Sequence, residues 1–348
     1  MAIKDWKNRV TGQDDGRSSG AKRPLDIDEP SALKRWSIGL VLPLALLCLV
    51  VAWYWSREPG IEPWVASDNP VAGAATVGTL ISVVDTLLEK PGGFLSNDML
   101  PPGLLLDNIP NWEYGVVIQV RDLAKALRES FARSQSQSIE DKDLAQAEPR
   151  LNFDHQSWAL PSTEGEYRDG RKYLSAYLLR LQDDDKYNAQ FYARADNLRY
   201  WLSTVEARLG SLSQRLGASV GQRRLNTDLA GDSAAVRATP APSETYLKTS
   251  WYHLDDVFYE ARGTTWALIQ FLKAAEIDFA EVLEKKNARI SVQQIIRELE
   301  ATQAPLWSPV VLNGGGFGFL ANHSLTMVSY ISRANAAIID LRELLSQG

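Results

Sequence analysis

Four side chains of this sequence are of the types that bind metals or transfer protons: His253, Asp256, Glu260 and His323. The first three stand at positions i, i+3 and i+7, so a helix would place them near one face. With a histidine contributed by another segment, this face could bind a metal ion or perform acid–base chemistry. The same charges also fit a solvated or salt-bridged helix flank, which is usual beside an apolar stripe. We favour the flank, and predict no catalytic residue, metal site or cofactor.

Two glycine-rich segments match motifs of enzymes. Residues 217–221, GASVG, match G-x-S-x-G, but a nucleophile elbow needs a strand before it. A heptad-patterned helix precedes this segment, so we interpret it as a helix C-terminus with glycine caps. Residues 316–321, GFGFLA, match G-x-G-x-x-A, and Asp340 follows about twenty residues on, as in a dinucleotide-binding fingerprint. That acidic residue should end a second strand, but here it falls in the last predicted helix. We interpret residues 316–321 as a tight helix-packing turn or an anion site at exposed amides.

Two long heptad patterns are the clearest structural signal. Apolar residues alternate spacings of four and three from Phe191 to Leu216, and again from Leu247 to Val282. Such a repeat keeps one seam of a helix facing a partner. Residues 217–243 are rich in Gly, Ala, Ser, Thr and Pro, which predicts a long antiparallel helical hairpin with a flexible tip. The pattern fits an intrachain bundle or an oligomeric coiled coil, and we favour the bundle because other amphipathic helices are available.

The rest of the chain is also predominantly helical. Periodicity and stop signals predict further helices at about 73–90, 113–133, 139–147, 164–182, 291–303 and 322–346. Thr163 and Glu166 have the spacing of a capping box. Only residues 310–312 and 116–120 resemble strands. We therefore expect an all-α fold: an N-terminal transmembrane helix followed by an exported antiparallel bundle with long heptad-patterned helices.

Residues 91–112 form an apolar loop in which four prolines and three glycines exclude regular structure. A loop this apolar must pack on something. We expect it to fold over the bundle, and the alternatives are contact with the membrane surface or with a partner. The candidate interaction residues in this loop and in the glycine-rich segment near residue 316 are Phe94, Leu95, Trp112, Trp307, Phe317 and Phe319.

The segment from Trp36 to Trp55 has the length and composition of a membrane span. Its twenty residues carry no charge, and as a helix they would extend about 30 Å. Trp36 stands at its start, and Trp53 and Trp55 at its end, which suits the headgroup layers. Four Lys and Arg residues precede the span closely and only Arg57 follows, so the N-terminus is predicted to be cytoplasmic. A cleaved signal peptide is one alternative, disfavoured by the 35 preceding residues and the long apolar run. A buried core helix is another, disfavoured by the charge-free run of twenty residues with aromatic ends.

Composition sets further limits. The 348 residues carry a net charge of −6, which does not indicate a nucleic-acid partner. The single cysteine, Cys48, lies in the predicted span, so neither disulfides nor thiolate metal sites are expected in the exported part. We predict a disordered cytoplasmic tail at 1–35, the membrane helix at 36–55, a linker at 56–72 and a periplasmic helical domain at 73–348.

Four stretches resemble a family of unknown function: GGFLSNDMLPPG (92–103), LDNIPNWEYG (106–115), DDVFYEARGTTWAL (255–268) and PLWSPVVLNGGGFGFLANHSLTM (305–327). The family comprises single-pass inner-membrane proteins of Gram-negative proteobacteria. The resemblance implies a periplasmic location and brings no activity, substrate or catalytic residue.

These observations favour a non-enzymatic, inner-membrane-anchored periplasmic scaffold or interaction protein of the cell envelope. Its expected partners are the lipid bilayer and either an envelope protein or a second copy of the chain. One alternative is a metal-dependent or hydrolytic envelope enzyme that uses the His253, Asp256 and Glu260 face. A second alternative is a periplasmic ligand sensor, disfavoured because the cytoplasmic tail is too short for an output domain.

Overall fold

The computed structural model describes residues 32–61, 71–134, 138–183, 185, 187–226, 242–306, 308, 310–315 and 320–347, with side chains from residue 39 onward. The chain divides into two compact units, residues 1–47 and residues 48–348. Most of the predicted tail, residues 1–31, lies outside the described residues, as does the part of the predicted linker at 62–70.

The described residues form ten α-helices and one two-stranded sheet, which confirms the mostly helical character. The helices are α1 Ala32–Trp55, α2 Ala74–Glu89, α3 Asn108–Ala126, α4 Leu144–Leu151, α5 Thr163–Leu181, α6 Ala195–Gly217, α7 Leu254–Asp278, α8 Ala280–Lys285, α9 Arg289–Ala301 and α10 His323–Ser346. The strands are β1 Gln222–Leu225 and β2 Glu244–Leu247. Within the described ranges, no helix combines the length and the apolar character that crossing a membrane requires.

Proline and capping positions set the helix starts. α3 begins five residues earlier than predicted, because Pro110 stands in its first turn, where an N–H is not needed. The Asp107 side chain accepts a hydrogen bond from the Asn108 N–H and caps this helix. At α5 the capping residue is Ser162, whose Oγ accepts a hydrogen bond from the Gly165 N–H at 3.2 Å. The cap is therefore one residue before the predicted Thr163.

α3 and α7 pack in parallel at the centre of the bundle and touch through two glycines. A Cβ atom on Gly263 would lie 2.7 Å from the carbonyl carbon of Trp112, and one on Gly115 would lie 2.7 Å from the Thr264 nitrogen. The rings of Trp112 and Trp266 are buried beside these glycines, with centroids 5.0 Å apart. Close backbone approach thus defines this helix pair.

α6 and α7 carry the two heptad patterns and lie antiparallel, but their main partners are other helices. α6 packs along α10, where Ser213 and Ser332 hydroxyls lie 2.7 Å apart, and α7 packs against α3. The predicted helical hairpin is therefore wrong about the partners. The apolar stripe of α6 is buried within the chain, at Leu198, Leu202, Val205, Leu209, Leu212 and Leu216.

A β-hairpin occupies part of the segment predicted as a flexible tip. β1 and β2 pair antiparallel, with Gln222 opposite Leu247 and Leu225 opposite Glu244. Because β2 includes Leu247, the second heptad helix begins at Leu254 rather than at 247. Residues 227–241 lie outside the described residues. Residues 116–120, whose pattern resembles a strand, belong to α3, in agreement with the helix predicted at about 113–133.

The bundle has two ends, which we name by what they carry. The junction end has the C-termini of α2 and α6, the N-termini of α3, α5 and α7, and the point where residues 48–61 join the bundle. The distal end has the N-terminus of α2 and the C-termini of α3, α5 and α7. The Thr76 N–H and the Asp278 carboxylate, 2.7 Å apart, tie α2 to α7 there.

Residues 55–61 are fixed to the junction end. The Glu58 carboxylate accepts hydrogen bonds from the Arg262 guanidinium at 2.6 to 3.0 Å. The same guanidinium donates to the carbonyl oxygens of Thr302 and Ala304, and Arg262 is buried. Three contacts therefore fix this segment: Trp55 lies against Gly92, Glu58 pairs with Arg262, and the Gly60 carbonyl accepts a hydrogen bond from the Trp266 indole N–H. The predicted linker thus begins as an ordered part of the bundle.

Candidate functional site

His253 and Asp256 form an exposed pair at the start of α7. His253 Nδ1 lies 2.8 Å from the Asp256 carboxylate, and the histidine side chain is mostly exposed. The other oxygen of Asp256 accepts a hydrogen bond from the Asn111 amide of α3 at 2.8 Å. This pair therefore links the first turns of two helices at the junction end.

Glu260 and His323 bind other partners. The Glu260 carboxylate is buried and makes two hydrogen bonds with the Arg215 guanidinium of α6, at 2.5 and 2.6 Å. His323 Nδ1 accepts a hydrogen bond from the Leu312 N–H at 3.1 Å, and its ring lies beside Phe258. Among the described residues, no group of three or more His, Cys, Asp and Glu side chains could hold a metal ion. The structure therefore does not assemble the four candidates into one site.

The two glycine motifs occur in helix-end contexts. Gly217 ends α6, a short 3₁₀ turn follows, and Gly221 has a φ of 84°. A helix precedes Ser219 and a strand follows it, which is the reverse of a nucleophile elbow. Of the second motif, residues 316–319 lie outside the described residues. α10 begins after the motif, where the Asn322 side chain accepts a hydrogen bond from the Leu325 N–H.

The apolar loop before α3 is divided between core and surface. Phe94, Leu95 and Trp112 are buried, and Phe94 packs edge-on against Tyr167. These three candidate interaction residues are therefore core residues. The other three, at positions 307, 317 and 319, lie outside the described residues. The surface part of the loop is instead residues 99–105, whose exposed side chains are Met99, Leu100, Leu104 and Leu105.

Other exposed apolar side chains lie in segments that precede helices at the same end. Trp158 and Leu160 come just before α5, and Trp251 and Tyr252 just before α7. We call the combined surface the junction face, defined by Met99, Leu100, Leu104, Leu105, Trp158, Leu160, Trp251 and Tyr252. Sequence reasoning identified the apolar loop but could not separate its buried residues from its exposed ones.

A buried ion pair supports the loop beneath the junction face. Glu113 accepts hydrogen bonds from the backbone N–H groups of Leu95 and Ser96, each at 2.8 Å. Lys90 Nζ lies 2.6 Å from the same carboxylate and also donates to the Gly93 carbonyl. Burial raises the pKa of Glu113, and the Lys90 charge opposes that rise. Sequence reasoning missed this pair; a lysine directly before the Pro-Gly-Gly turn was the available signal.

A polar cleft of about 470 Å³ lies between α3, α6 and α7. Gln119 is part of its wall and is only 1% exposed, and neither its amide nitrogen nor its amide oxygen has a hydrogen-bond partner among the described residues. Unpaired buried amide atoms are costly, so they call for an explanation. The other polar side chains that line the cleft are Tyr114, Ser203, Thr204, Arg208, Ser211, Arg215, Glu260 and Thr264.

A second cavity, of about 410 Å³, lies among α7, α9 and α10 and is mainly apolar. Arg262 reaches its wall, but that side chain is already bound by Glu58 and by two carbonyl oxygens. The wall also includes parts of residues 304–312, within which positions 307 and 309 lie outside the described residues. We assign no ligand to this cavity.

Residues 30–348 match the model of a family described as an uncharacterized protein conserved in bacteria, DUF2333. The chain belongs to this family. The match confirms the family resemblance seen in the sequence, whereas the membrane topology and the restriction to proteobacteria stay predictions. No curated protein and no solved structure matches the chain.

The four stretches that carried the resemblance meet at one end of this DUF2333 chain. Residues 92–103 and 106–115 are the loop before α3 and the start of that helix. Residues 255–268 are the first turns of α7, and the described part of 305–327 joins α9 to α10. The junction end is therefore where a candidate functional surface is best sought.

Proposed function

We propose that this DUF2333 chain is a membrane-anchored scaffold or interaction protein of the bacterial cell envelope. The proposed anchor is Trp36–Trp55, with the N-terminus in the cytoplasm and the bundle in the periplasm. Support comes from α1, whose apolar side chains are largely exposed, including Leu40, Leu42 and Leu49.

The single observation that carries the proposal is the way the chain joins the bundle. Residues 55–61 are not a free tether, because Trp55 and the Glu58–Arg262 ion pair fix them to the junction end. A fixed junction gives the bundle a defined arrangement relative to the last turns of α1. That property is useful to a protein that presents a surface to partners at the membrane.

The enzyme alternative receives less support. Asp256 and Glu260 are held by Asn111 and Arg215, so both carboxylates serve contacts between helices. A catalytic pair would need a shared reacting position within hydrogen-bond reach of both groups.

The topology is tested with alkaline phosphatase, which is active only after export, fused behind Gly348. We expect an active fusion, and a fusion to residue 31 that is stable but inactive as the control. A stable, inactive fusion at Gly348 would overturn the periplasmic assignment.

The scaffold role is tested by cross-linking the full-length protein in its native membranes and identifying the products by mass spectrometry. We expect one recurrent partner in stoichiometric amount, either an envelope protein or a second copy. The same protein unfolded in a chemical denaturant serves as the control, because its cross-links form at random. Absence of any recurrent product would contradict a scaffold.

A second candidate function, ligand sensing, is favoured by the unpaired amide of Gln119. A small polar molecule in the cleft could bind this amide if the wall adjusts. Binding would raise the thermal midpoint of the purified protein with increasing concentration of a neutral amide or sugar. Gln119→Leu should abolish that rise and Ser213→Ala, outside the cleft lining, should keep it; no rise with any such compound removes this candidate.

A further inference from the structure

Exposed apolar side chains are unevenly distributed over the bundle. At the junction end, Leu100, Leu105, Trp158, Leu160, Trp251 and Tyr252 are each more than 60% exposed. They come from three short segments that lie directly before helices. At the distal end, the comparably exposed Ile139 and Tyr187 border a cleft that is otherwise lined mainly by charged and amide side chains, and Ile290 stands at the start of α9. Scattered apolar residues are normal on a soluble protein, whereas a contiguous patch marks a contact surface.

Hydrogen bonds bring the three segments of the junction face together. The Asn97 amide donates to the Ser157 carbonyl at 2.9 Å, which joins the loop before α3 to the segment before α5. The Asn111 amide donates to Asp256 at 2.8 Å, which joins the start of α3 to the start of α7. The exposed residues therefore belong to one end surface and not to opposite sides of the bundle.

The position of this surface indicates what covers it. The last residue of α1 meets the bundle at the same end, where Trp55 lies against Gly92 beside the loop. Exposed Trp and Tyr side chains together with Leu are the types that suit the boundary between headgroups and acyl chains. Asp107, Asp255 and Asp256 border the face, so its attraction to a bilayer must be apolar and not electrostatic.

We infer that the junction face lies on the bilayer surface, with its Trp, Tyr and Leu side chains in the headgroup layer. This inference rests on the proposed membrane anchoring and adds to it a second contact between the bundle and lipid. Interfacial elements of this kind reach about 5–10 Å into the headgroup region. The occupant is lipid, because the face adjoins the point where the proposed span ends.

The test uses the single native cysteine to separate anchoring from docking. The full-length chain is reconstituted into phosphatidylcholine vesicles that contain phosphatidylcholine spin-labelled near the headgroup or deep in the acyl chain. A fluorophore on Cys48 of the unchanged chain reports the anchor. In a Cys48→Ser background, the fluorophore is placed at Leu105→Cys, Trp158→Cys or Trp251→Cys, and at the distal control positions Ile139→Cys and Ile290→Cys. All five positions are exposed, so labelling should leave the fold intact.

We expect the deep quencher to act on Cys48 and the shallow quencher to act on the three junction-face positions. Fluorescence at the two distal positions should be unchanged by either lipid. If Cys48 is quenched and the junction-face positions match the distal ones, the anchor stands and the docking is refuted. If Cys48 is not quenched, the proposed anchoring itself fails.

A protein partner on the junction face would give a different result. The labels at Leu105→Cys and Trp251→Cys would then be insensitive to lipid quenchers in vesicles, and their emission would shift to the blue only after native membrane extract is added. That outcome would overturn the bilayer assignment. Exchanging Leu104 and Leu105 for serine should reduce the quenching at Trp251→Cys and leave that at Cys48 unchanged.

Discussion

The glycines between α3 and α7 offer the sharpest quantitative test of the fold. In Gly263→Ala, the new Cβ would lie 2.7 Å from the carbonyl carbon of Trp112 and still closer to its oxygen. Optimal separation between carbon atoms is ~3.5 Å, so the contact with the carbonyl carbon alone requires the two helices to separate by roughly 0.8 Å, and the closer oxygen requires more. Both neighbours are backbone atoms, so no flexible side chain can yield instead.

The energetic cost follows from the packing that this separation disturbs. A gap of that size forfeits about a quarter to a half of each dispersion contact, including those between the buried rings of Trp112 and Trp266. Overpacking of this kind costs about 1–3 kcal/mol, and the better helix propensity of alanine returns about 1 kcal/mol at most. We therefore expect Gly263→Ala to lower the free energy of unfolding by about 1–2 kcal/mol.

The assay is urea-induced unfolding of the full-length protein in mild detergent, followed by tryptophan fluorescence. Gly210→Ala is the matched control, because it lies inside α6 and its Cβ would lie 3.6 Å from the Asn335 amide, an ordinary contact. That control should be as stable as the wild type or more stable by up to about 1 kcal/mol. Equal stabilities of Gly263→Ala and Gly210→Ala would refute the close-packed α3–α7 contact.

Three further substitutions test charged and titratable groups at the junction end. Lys90→Met leaves the buried Glu113 carboxylate unpaired, which should cost about 3–5 kcal/mol. Because burial raises the pKa of Glu113, the folded state takes up this proton more readily, and the cost should shrink as the pH falls toward the ordinary glutamate value of 4.5. Burial lowers the pKa of His155, so the folded state favours the neutral ring. The free energy of unfolding is therefore unaffected by this group above about pH 6.5 and decreases as the pH falls through the folded-state pKa. His155→Gln should remove that decrease. Glu58→Gln weakens the bond to Arg262 and should cost about 1.5–3 kcal/mol. Urea midpoints measure all three effects.

An exposed ion pair elsewhere in the chain provides the controls. Lys285 and Glu281 lie 3.7 Å apart with both side chains largely in water. Lys285→Met and Glu281→Gln should therefore each change the free energy of unfolding by less than about 0.5 kcal/mol. Costs at positions 90 and 58 no larger than these would contradict the roles given to the buried pairs. If the urea midpoints of the wild type and of His155→Gln fall by the same amount as the pH is lowered, the pH prediction is contradicted.

Local periodicity predicted most helices because it depends on residues close in sequence. The stripe of α2, at Val77, Leu80, Val84 and Leu87, is buried as expected. The choice of partner helices could not be predicted in the same way. α7 packs against α3 because two glycines permit backbone contact, and a heptad pattern carries no information about such a distant match.

The candidate site shows the same limit. The spacing of Asp256 and Glu260 correctly places both on α7, but it does not reveal that Asn111 and Arg215 from other helices bind them. The pairing of Lys90 with Glu113 and the unpaired amide of Gln119 also depend on the tertiary arrangement. The sequence shows which residues could bind a metal or transfer a proton, but it does not show which other side chains they contact in the fold.

The fixed junction and the junction face have a common physical consequence. A surface attached beside a membrane span meets the bilayer at a high effective concentration, so docking needs little intrinsic affinity. In the proposed docking, the ordered contacts of Trp55 and Glu58 would further reduce the entropy lost when the face settles on lipid. A small apolar patch is then sufficient for docking. The rest of the bundle, which carries a net negative charge, can stay in water. If both proposals hold, loosening the junction with Glu58→Gln should therefore weaken the proposed lipid contact at Trp251 and leave the proposed anchor in the membrane.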